Sequence, residues 1–292
     1  MTLRFTALLA FLGARAMPGV EEVVAGVFRR SLALPHGPPI VELADGCDAV
    51  RCTLALADPR DLAPAVARCR RLLDLDADPV AVAEALDADP LLADLVRAEP
   101  GRRSPGAVDG AELAIRAILG QGITVGAART LAGRMVAAHG APLAAPSGGV
   151  THLFPGPAAL AAADPGTLPG PATRRAALGL VGRALADGSL QLDPGVDRGD
   201  AVRRLRRIPG IGPWTAAYVA MRALGDPDSL LPGDVAVRHA LVARGGPTDA
   251  RAIAARAERW RPWRSYATHH LWATPGASQF GVDPVVQVAS LG

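Results

Sequence analysis

The sequence contains no lysine. All 31 of its basic residues are arginines, set against 28 acidic residues in a chain of 292. An arginine guanidinium stays protonated and does not act as an amine nucleophile. The absence of lysine therefore excludes any chemistry in which a lysine side chain forms a Schiff base with its substrate.

Cysteine is also sparse. The three cysteines, Cys47, Cys52 and Cys69, all lie in the first third of the chain. An odd number does not suit a disulfide framework, and their spacing matches no metal or iron–sulfur site. We therefore expect buried free thiols, a reducing (cytoplasmic) compartment, and no metal or other cofactor.

Long hydrophobic runs are missing except near the start. This stretch resembles a signal peptide with its cleavage site, because it contains Arg4, the apolar run Thr6–Leu12 and the small residues around Ala14–Ala16. The same stretch suits an amphipathic helix of a folded domain, which is the interpretation we favour. No other run is long enough to span a bilayer, so we expect no membrane partner.

Charge is unevenly distributed along the chain. Residues 1–100 hold 10 arginines against 15 acidic residues, whereas residues 101–292 hold 21 against 13. A basic C-terminal part suits a surface that neutralises nucleic-acid phosphates. A solvated basic surface is the alternative, and charge alone does not separate the two.

The hydrophobic periodicity predicts a mostly α-helical protein with a small α+β lobe at its N-terminus. We expect that lobe at residues 1–73, a helical region at 74–277 and a tail at 278–292. The predicted helical patterns include Gly110–Leu119 and Val125–His139. The Pro/Gly/Ser-rich stretch Ala141–Val150 is predicted to be a linker or loop.

A glycine-rich turn between two helical patterns carries the strongest functional signal. The run from Ile208 to Ala216 reads Ile-Pro-Gly-Ile-Gly-Pro-Trp-Thr-Ala, within a predicted helix–turn–helix at residues 201–224. Gly210 and Gly212 permit a tight reversal, in which backbone N–H groups and the start of the next helix face an anion. A DNA phosphate is the anion we expect.

An isolated acid and three aromatic residues accompany the turn. Trp214 and Tyr218 share one helix face because they are four residues apart, and Trp272 is a third aromatic candidate. Asp234 precedes a predicted helix, where it can act as a cap, as a catalytic carboxylate, or as both. The aromatic residues can equally be core residues.

The turn, the acid after it and the aromatic run Trp260–Tyr266 resemble the helix-hairpin-helix DNA glycosylase superfamily. The match is strongest with its alkylated-base branch, 3-methyladenine DNA glycosylase II, and it extends to Arg15–Glu21 and Ala117–Gln121. The first of these segments crosses the imitated cleavage site, which argues against a signal peptide.

The resemblance implies a helix-hairpin-helix glycosylase architecture and a role for each motif residue. Asp234 would be the catalytic carboxylate, and Trp214, Tyr218 and Trp272 would form the pocket for a flipped base. The residues expected to contact DNA are Gly210, Ile211, Gly212, Thr215, Gln121 and Gly122. Trp214 stands where bifunctional relatives have a lysine nucleophile, so we expect base hydrolysis without strand cleavage.

One position departs from the family pattern. Relatives fill the gap left by the flipped base with a side chain just after Gly120-Gln121, but here that position is Gly122. Either Gln121 or Ile123 would then act as the wedge, or the duplex is opened differently.

The expected partner is double-stranded DNA containing damaged bases, bound by a monomer. Alkylated bases resembling 3-methyladenine are the favoured substrates. A glycosylase for other lesions, such as hypoxanthine or ethenoadenine, and a non-catalytic DNA-binding module are the alternatives that the sequence leaves open.

Overall fold

The computed structural model describes residues 5–46, 49–231 and 233–274. The described part of the chain starts with helix α1 (Phe5–Arg15), followed by strands β1 (Glu21–Val24), β2 (Val27–Ser31), β3 (Ile40–Asp45) and β4 (Val50–Leu54), then helix α2 (Leu62–Leu72). The four strands form one antiparallel sheet in the order β1-β2-β3-β4. The predicted small α+β lobe is confirmed.

Alternation along the central strands fixes which face of this sheet is buried. Phe28 on β2 pairs with Leu43 on β3, and both side chains are buried. Successive strand residues point to opposite faces, so the flanking residues turn away from this core. Phe5, Leu8 and Leu12 of α1 pack into the same cluster. The signal-like segment is therefore a core helix.

The rest of the described chain is predominantly helical. The helices are α3 (Pro79–Asp87), α4 (Ala93–Ala98), α5 (Gly110–Leu119), α6 (Val125–His139), α7 (Pro157–Ala162), α8 (Ala172–Ala186), α9 (Arg198–Arg207), α10 (Pro213–Arg222), α11 (Val235–Val242), α12 (Ala250–Ala257) and α13 (Arg264–Trp272). The predicted mostly helical fold is confirmed. The domain division at residues 73 and 277 stays a prediction.

The stretch predicted to be a linker is instead a β-hairpin. Strand β5 (Pro142–Ser147) pairs antiparallel with β6 (Val150–His152). Proline is tolerated at the start of a strand and at bulges, so composition alone gave the wrong prediction. Val150 is buried, and the carbonyl of Gly19 accepts hydrogen bonds from the amides of Thr151 and His152. The hairpin thus extends the packing of the first lobe.

Two further hydrophobic clusters organise the helices. One is built mainly on α5, α6, α8, α9 and α10. The other is built on α3, α4, α11, α12 and α13. Trp272 packs against both clusters, which brings the end of α13 up to α10.

The cysteine prediction is only partly right. Cys69 on α2 is buried, but Cys52 is exposed because it lies on the edge strand β4, most of whose side chains face solvent. Cys47 and the predicted tail 278–292 lie outside the described residues. In the part of the chain that the structure describes, no helix has the length and apolar character needed to cross a bilayer.

Candidate active site and nucleic-acid interface

Asp234 lies at the start of α11, with its carboxylate completely enclosed. Its Oδ1 accepts hydrogen bonds from the Val237 amide at 2.9 Å and from Trp272 Nε1 at 3.1 Å. Its Oδ2 accepts a hydrogen bond from Trp214 Nε1 at 3.1 Å. The side chain is 0% exposed. Asp234 is therefore a helix cap and, at the same time, the meeting point of two tryptophans.

The surroundings of Asp234 act in opposite directions on its ionisation. Burial raises the pKa of the carboxyl above its ordinary value, against hydrogen bonds from Val237, Trp272 and Trp214 that favour the ionised form. A helix start also favours the ionised carboxylate. Burial is the larger effect, and the net direction of the pKa shift is upward.

The three predicted pocket aromatics come together around this acid. The rings of Trp214 and Tyr218 are stacked, with centroids 5.1 Å apart and an interplanar angle of 10°. Trp272 lies tilted against Tyr218, with its ring centroid 6.4 Å away. Tyr218 is buried in the helical core, whereas Trp214 and Trp272 are partly exposed. The core interpretation and the pocket interpretation both apply to this group.

A cavity of about 90 Å³ opens beside the stacked pair. Trp214, Tyr218 and Ile123 contribute to its walls. Its apolar and charged lining comes from α1, the sheet, α5, α6 and α10, so it lies between the first lobe and the helical region. Aromatic faces next to polar groups in a concave site are typical of ligand pockets.

The turn between α9 and α10 forms the predicted helix-hairpin-helix. Gly210 has a φ of +89°, and a Cβ at this position would lie 3.0 Å from the Ala177 side chain on α8. Gly212 has an ordinary φ of −81°, and a Cβ there would face open space. The two glycines therefore serve different purposes: Gly210 allows the turn to pack against α8, and Gly212 leaves the surface bare.

Two residues predicted to contact DNA turn their side chains inward, and their contact with DNA stays a prediction. The Ile211 side chain is buried in the core, and its amide donates to the Ile208 carbonyl. The Thr215 side chain is also buried, and its Oγ1 accepts a hydrogen bond from Gln121 Nε2 at 2.9 Å. Their side chains hold the hairpin together, because an amphipathic turn needs an apolar anchor facing the core.

Gln121 ties the loop after α5 to the hairpin. Besides the bond to Thr215, its Nε2 donates to the Gly210 carbonyl at 3.0 Å. The backbone carbonyl of Gln121 accepts a hydrogen bond from Arg174. Of the two candidate wedges, Gln121 is thus already engaged by the protein. Gly122 has a φ of +70° with open space around it, and Ile123 lies at the cavity wall.

Similarity to one relative shows the family to which the chain belongs. Over 92% of its length, the chain is 38% identical to DNA-3-methyladenine glycosylase 2 of Escherichia coli, and the match covers 93% of that protein. The chain belongs to the DNA-3-methyladenine glycosylase 2 family. Residues 2–109 also match the AlkA N-terminal domain.

The glycosylase family also includes a longer relative. A Mycobacterium tuberculosis protein, described as a probable bifunctional transcriptional activator/DNA repair enzyme AlkA, is 50% identical over 92% of the chain. The match covers 54% of that protein. The chain therefore spans about half the length of this relative.

Solved structures confirm the helix-hairpin-helix glycosylase architecture. A 3-methyladenine DNA glycosylase from Archaeoglobus fulgidus superimposes with a TM-score of 0.79 at 20% identity, over 93% of this chain and 94% of that one. The Clostridium acetobutylicum 8-oxoguanine glycosylase/lyase, in complex with double-stranded DNA, gives a TM-score of 0.71 at 16% identity, over 87% and 86%.

Sequence reasoning in this glycosylase-family chain missed the charged part of the cavity. Arg15 and Arg222 both reach the Tyr218 side chain there. Arg222 follows Tyr218 by four residues, so the helix repeat was a usable signal that it shares the same face. Arg15 gave no such signal, because it comes from α1, far away in the sequence.

Proposed function

We propose that the protein is a monofunctional DNA glycosylase that flips alkylated bases out of duplex DNA and hydrolyses their bond to the sugar. The observation that carries the proposal is the enclosed Asp234 carboxylate, held by two indole N–H groups, one of them from Trp214 at the wall of the adjacent cavity. A simple cap needs neither indole. The family membership of the chain supports the same activity.

Asp234 would act on the sugar. Loss of an alkylated, cationic base leaves an oxocarbenium-like sugar, and a fixed negative charge stabilises the positive charge that develops on it. The indole N–H groups of Trp214 and Trp272 fix both carboxylate oxygens in place, and they favour the ionised form that this function requires. Asp234 would also orient or deprotonate the attacking water.

The aromatic side chains would receive the flipped base. An electron-poor alkylated base is attracted to the π faces of tryptophan and tyrosine, by about 0.5–2 kcal/mol for each contact. Trp214 and Tyr218 are prealigned for such stacking, because their rings are already nearly parallel. Trp272, which bonds to the same carboxylate, would complete the pocket.

The hairpin would hold the DNA backbone. Gly210 and Gly212 are exposed at the turn, and Arg206 and Arg207 next to it are also exposed. None of the ion pairs among the described residues involves these two arginines. Guanidinium groups and bare backbone at a helix start suit phosphate contacts, which position the duplex without reading its sequence.

The reaction would stop at an abasic site. A chain without lysine has no side-chain amine for a Schiff base with the sugar, and Trp214 occupies the position of that nucleophile in bifunctional relatives. We further propose that the protein works as a monomer on damaged DNA in the cytoplasm.

A direct assay tests the proposed function. The purified protein is incubated with methylated duplex DNA, and free bases are identified by mass spectrometry while abasic sites are counted separately. Released 3-methyladenine with matching abasic sites supports the proposal. A protein that binds these duplexes without releasing any base would instead be a DNA-binding module.

A further inference from the structure

Two cysteines face each other between the sheet and helix α2 of the first lobe. On strand β4, Cys52 pairs with Leu43 of β3. Cross-strand partners lie on the same face of a sheet, and Leu43 is buried in the hydrophobic cluster to which α2 contributes. Cys69 of α2 is buried in that same cluster. The strand register therefore turns Cys52 towards the helix that carries Cys69.

The neighbours of Cys52 along β4 have the same orientation. Val50 and Leu54, two residues to either side, are partly buried against the cluster. Residues i, i+2 and i+4 of a strand share a face. Cys52 thus lies between two anchored side chains on the inner face, and it is exposed because β4 is an edge strand of the sheet.

The two thiols are in hydrogen-bond contact. The Cys69 thiol donates to the sulfur of Cys52. This hydrogen bond lowers the pKa of Cys52 to about 7, and it raises the pKa of Cys69, which burial raises further. At neutral pH a large fraction of Cys52 is therefore the thiolate, which is the form that reacts with oxidants. Cys52 combines thiolate character with solvent access, and a second sulfur lies beside it.

We propose that Cys52 and Cys69 form a reversible oxidation site, at which a hydroperoxide converts the two thiols into a disulfide that joins β4 to α2. Cys52 is the sulfur that reacts with the peroxide, and Cys69 is the buried sulfur that resolves the product. This inference is separate from the proposed function, because neither cysteine lines the cavity beside Trp214.

The oxidation takes two steps. The Cys52 thiolate attacks one peroxide oxygen, the O–O bond breaks, and the departing alkoxide takes a proton from solvent, which leaves Cys52 as a sulfenic acid. The Cys69 sulfur then attacks the Cys52 sulfur, the S–O bond breaks, and the hydroxyl group leaves as water with the Cys69 proton. Two electrons pass from the thiols to the peroxide. The products are a disulfide, an alcohol and water.

The position of the pair gives the disulfide a structural consequence. The bond closes a loop over residues 53–68, and loop closure restricts the unfolded chain and so stabilises the folded one. It also anchors an edge strand that has one neighbouring strand in the sheet. Small thiols reverse the reaction by exchange, which begins with attack on a disulfide sulfur, and the Cys52 sulfur is on the solvent side.

Mass spectrometry tests the proposal. Full-length protein carrying Cys47→Ser, which leaves Cys52 and Cys69 as its only cysteines, is treated with hydrogen peroxide, denatured and alkylated with N-ethylmaleimide. The product should weigh two hydrogen atoms less than the reduced protein and carry no alkyl group. Trypsin cuts after arginine, so peptides 52–60 and 69–70 should appear as one disulfide-linked species. Dithiothreitol should restore two alkylatable thiols.

Thermal unfolding provides a second readout. The oxidised protein should melt about 5 °C above the reduced protein, because the cross-link restricts the unfolded state. Cys52→Ser is the matched control. It changes an exposed side chain, so the variant should fold normally, and its melting temperature should not respond to peroxide. Cys69→Ser should stop at the sulfenic acid on Cys52, which dimedone traps.

Three results would overturn the inference. They are full alkylation of both thiols after peroxide treatment, dimers linked through Cys52, and oxidation of Cys52 to a sulfinic acid without a bond to Cys69. Each of them leaves the proposed function intact, because base release is measured on the reduced protein. Failure of the reduced protein to release any base would bear on the proposed function alone.

Discussion

The Trp214 indole donates its N–H to Asp234 across 3.1 Å, and so couples the first turn of α10 to the first residue before α11. The hydrogen bond joins the hairpin to the acid, and the same Trp214 ring lines the adjacent cavity. One side chain therefore links the hairpin, the cavity and the carboxylate.

Removing this indole N–H should slow base release and change its pH dependence. Trp214→Phe keeps an aromatic ring but deletes a bond to a charged group, a loss of about 1.5–3 kcal/mol, or roughly tenfold or more in rate. In the wild type this hydrogen bond favours the ionised form of Asp234, so its loss should raise the pKa of Asp234 further. Single-turnover rates across pH measure both effects.

Trp263→Phe serves as the control, because Trp263 packs edge-on against Tyr266 and is not a donor to Asp234. Equal losses in the two tryptophan variants would mean that the bond to Asp234 has no special role.

The wild-type enzyme should lose activity on acidification at a higher pH than an ordinary aspartate would cause. Burial raises the pKa of Asp234 above the usual value of about 3.9. In the proposed role the ionised form of Asp234 is the active one, so the rate should be highest above the folded pKa and should fall as the pH drops through it. A rate profile with no acid limb above pH ~4, on DNA that stays bound, contradicts this role.

The free energy of unfolding should also depend on the ionisation of Asp234, with a pH trend opposite to that of the reaction rate. A carboxyl whose pKa is higher in the folded than in the unfolded state binds its proton more tightly when folded. Between the two pKa values, its contribution to the free energy of unfolding therefore falls as the pH rises. Denaturant titrations of wild type and Asp234→Asn should differ in pH slope across that interval; parallel slopes would contradict the raised pKa.

Gly212→Ala should weaken DNA binding without disturbing the fold. The added methyl group points into open space at an ordinary φ, so the melting temperature should not change. It would stand between the turn and a phosphate, and affinity should fall about tenfold, or ~1.4 kcal/mol. Fluorescence anisotropy with plain and lesion-bearing duplexes should show equal losses, since phosphate contacts carry no base information.

Gly210→Ala is the contrasting variant. A left-handed φ of +89° and the contact with Ala177 make alanine unfavourable at this position, by roughly 1–2 kcal/mol. Its main effect should appear in thermal unfolding. If Gly212→Ala instead weakened only lesion binding, the hairpin would be reading the base.

The lysine-free sequence predicts a product without strand breaks. The protein should generate alkali-labile abasic sites, no nick, and no covalent adduct on borohydride treatment. No side chain of the sequence carries an aliphatic amine. A trapped adduct, measured by gel shift and lost in Asp234→Asn, would show that an amine reaches the site.

Local signals in the sequence account for much of the fold. The helices α5 and α6 have their predicted bounds, because Asp109 and Thr124 cap them and hydrophobic residues recur at helical spacing. Gly210 and Gly212 likewise predicted the turn between α9 and α10. The β5–β6 hairpin could not be predicted in this way, because its pairing with the first lobe depends on residues far away in the sequence.

Local sequence signals likewise predict only part of the candidate site. Trp214 and Tyr218 are close in sequence, so their shared face follows from the helix repeat, and the acid follows from its position before a helix. The Arg15–Tyr218–Arg222 cluster depends on how α1 packs against α10, which no local pattern specifies. The burial of Asp234, and hence its raised pKa, is likewise a tertiary property.

Asp234→Asn provides the most direct test of the account, measured as single-turnover release of 3-methyladenine from methylated duplex DNA at neutral pH. The amide keeps the size of the side chain and removes its charge. We predict a rate at least ~100-fold below that of wild type, the usual effect of losing one electrostatic contact to a transition state, with duplex affinity within about threefold. Base release at the wild-type rate by Asp234→Asn would contradict the catalytic role of this carboxylate.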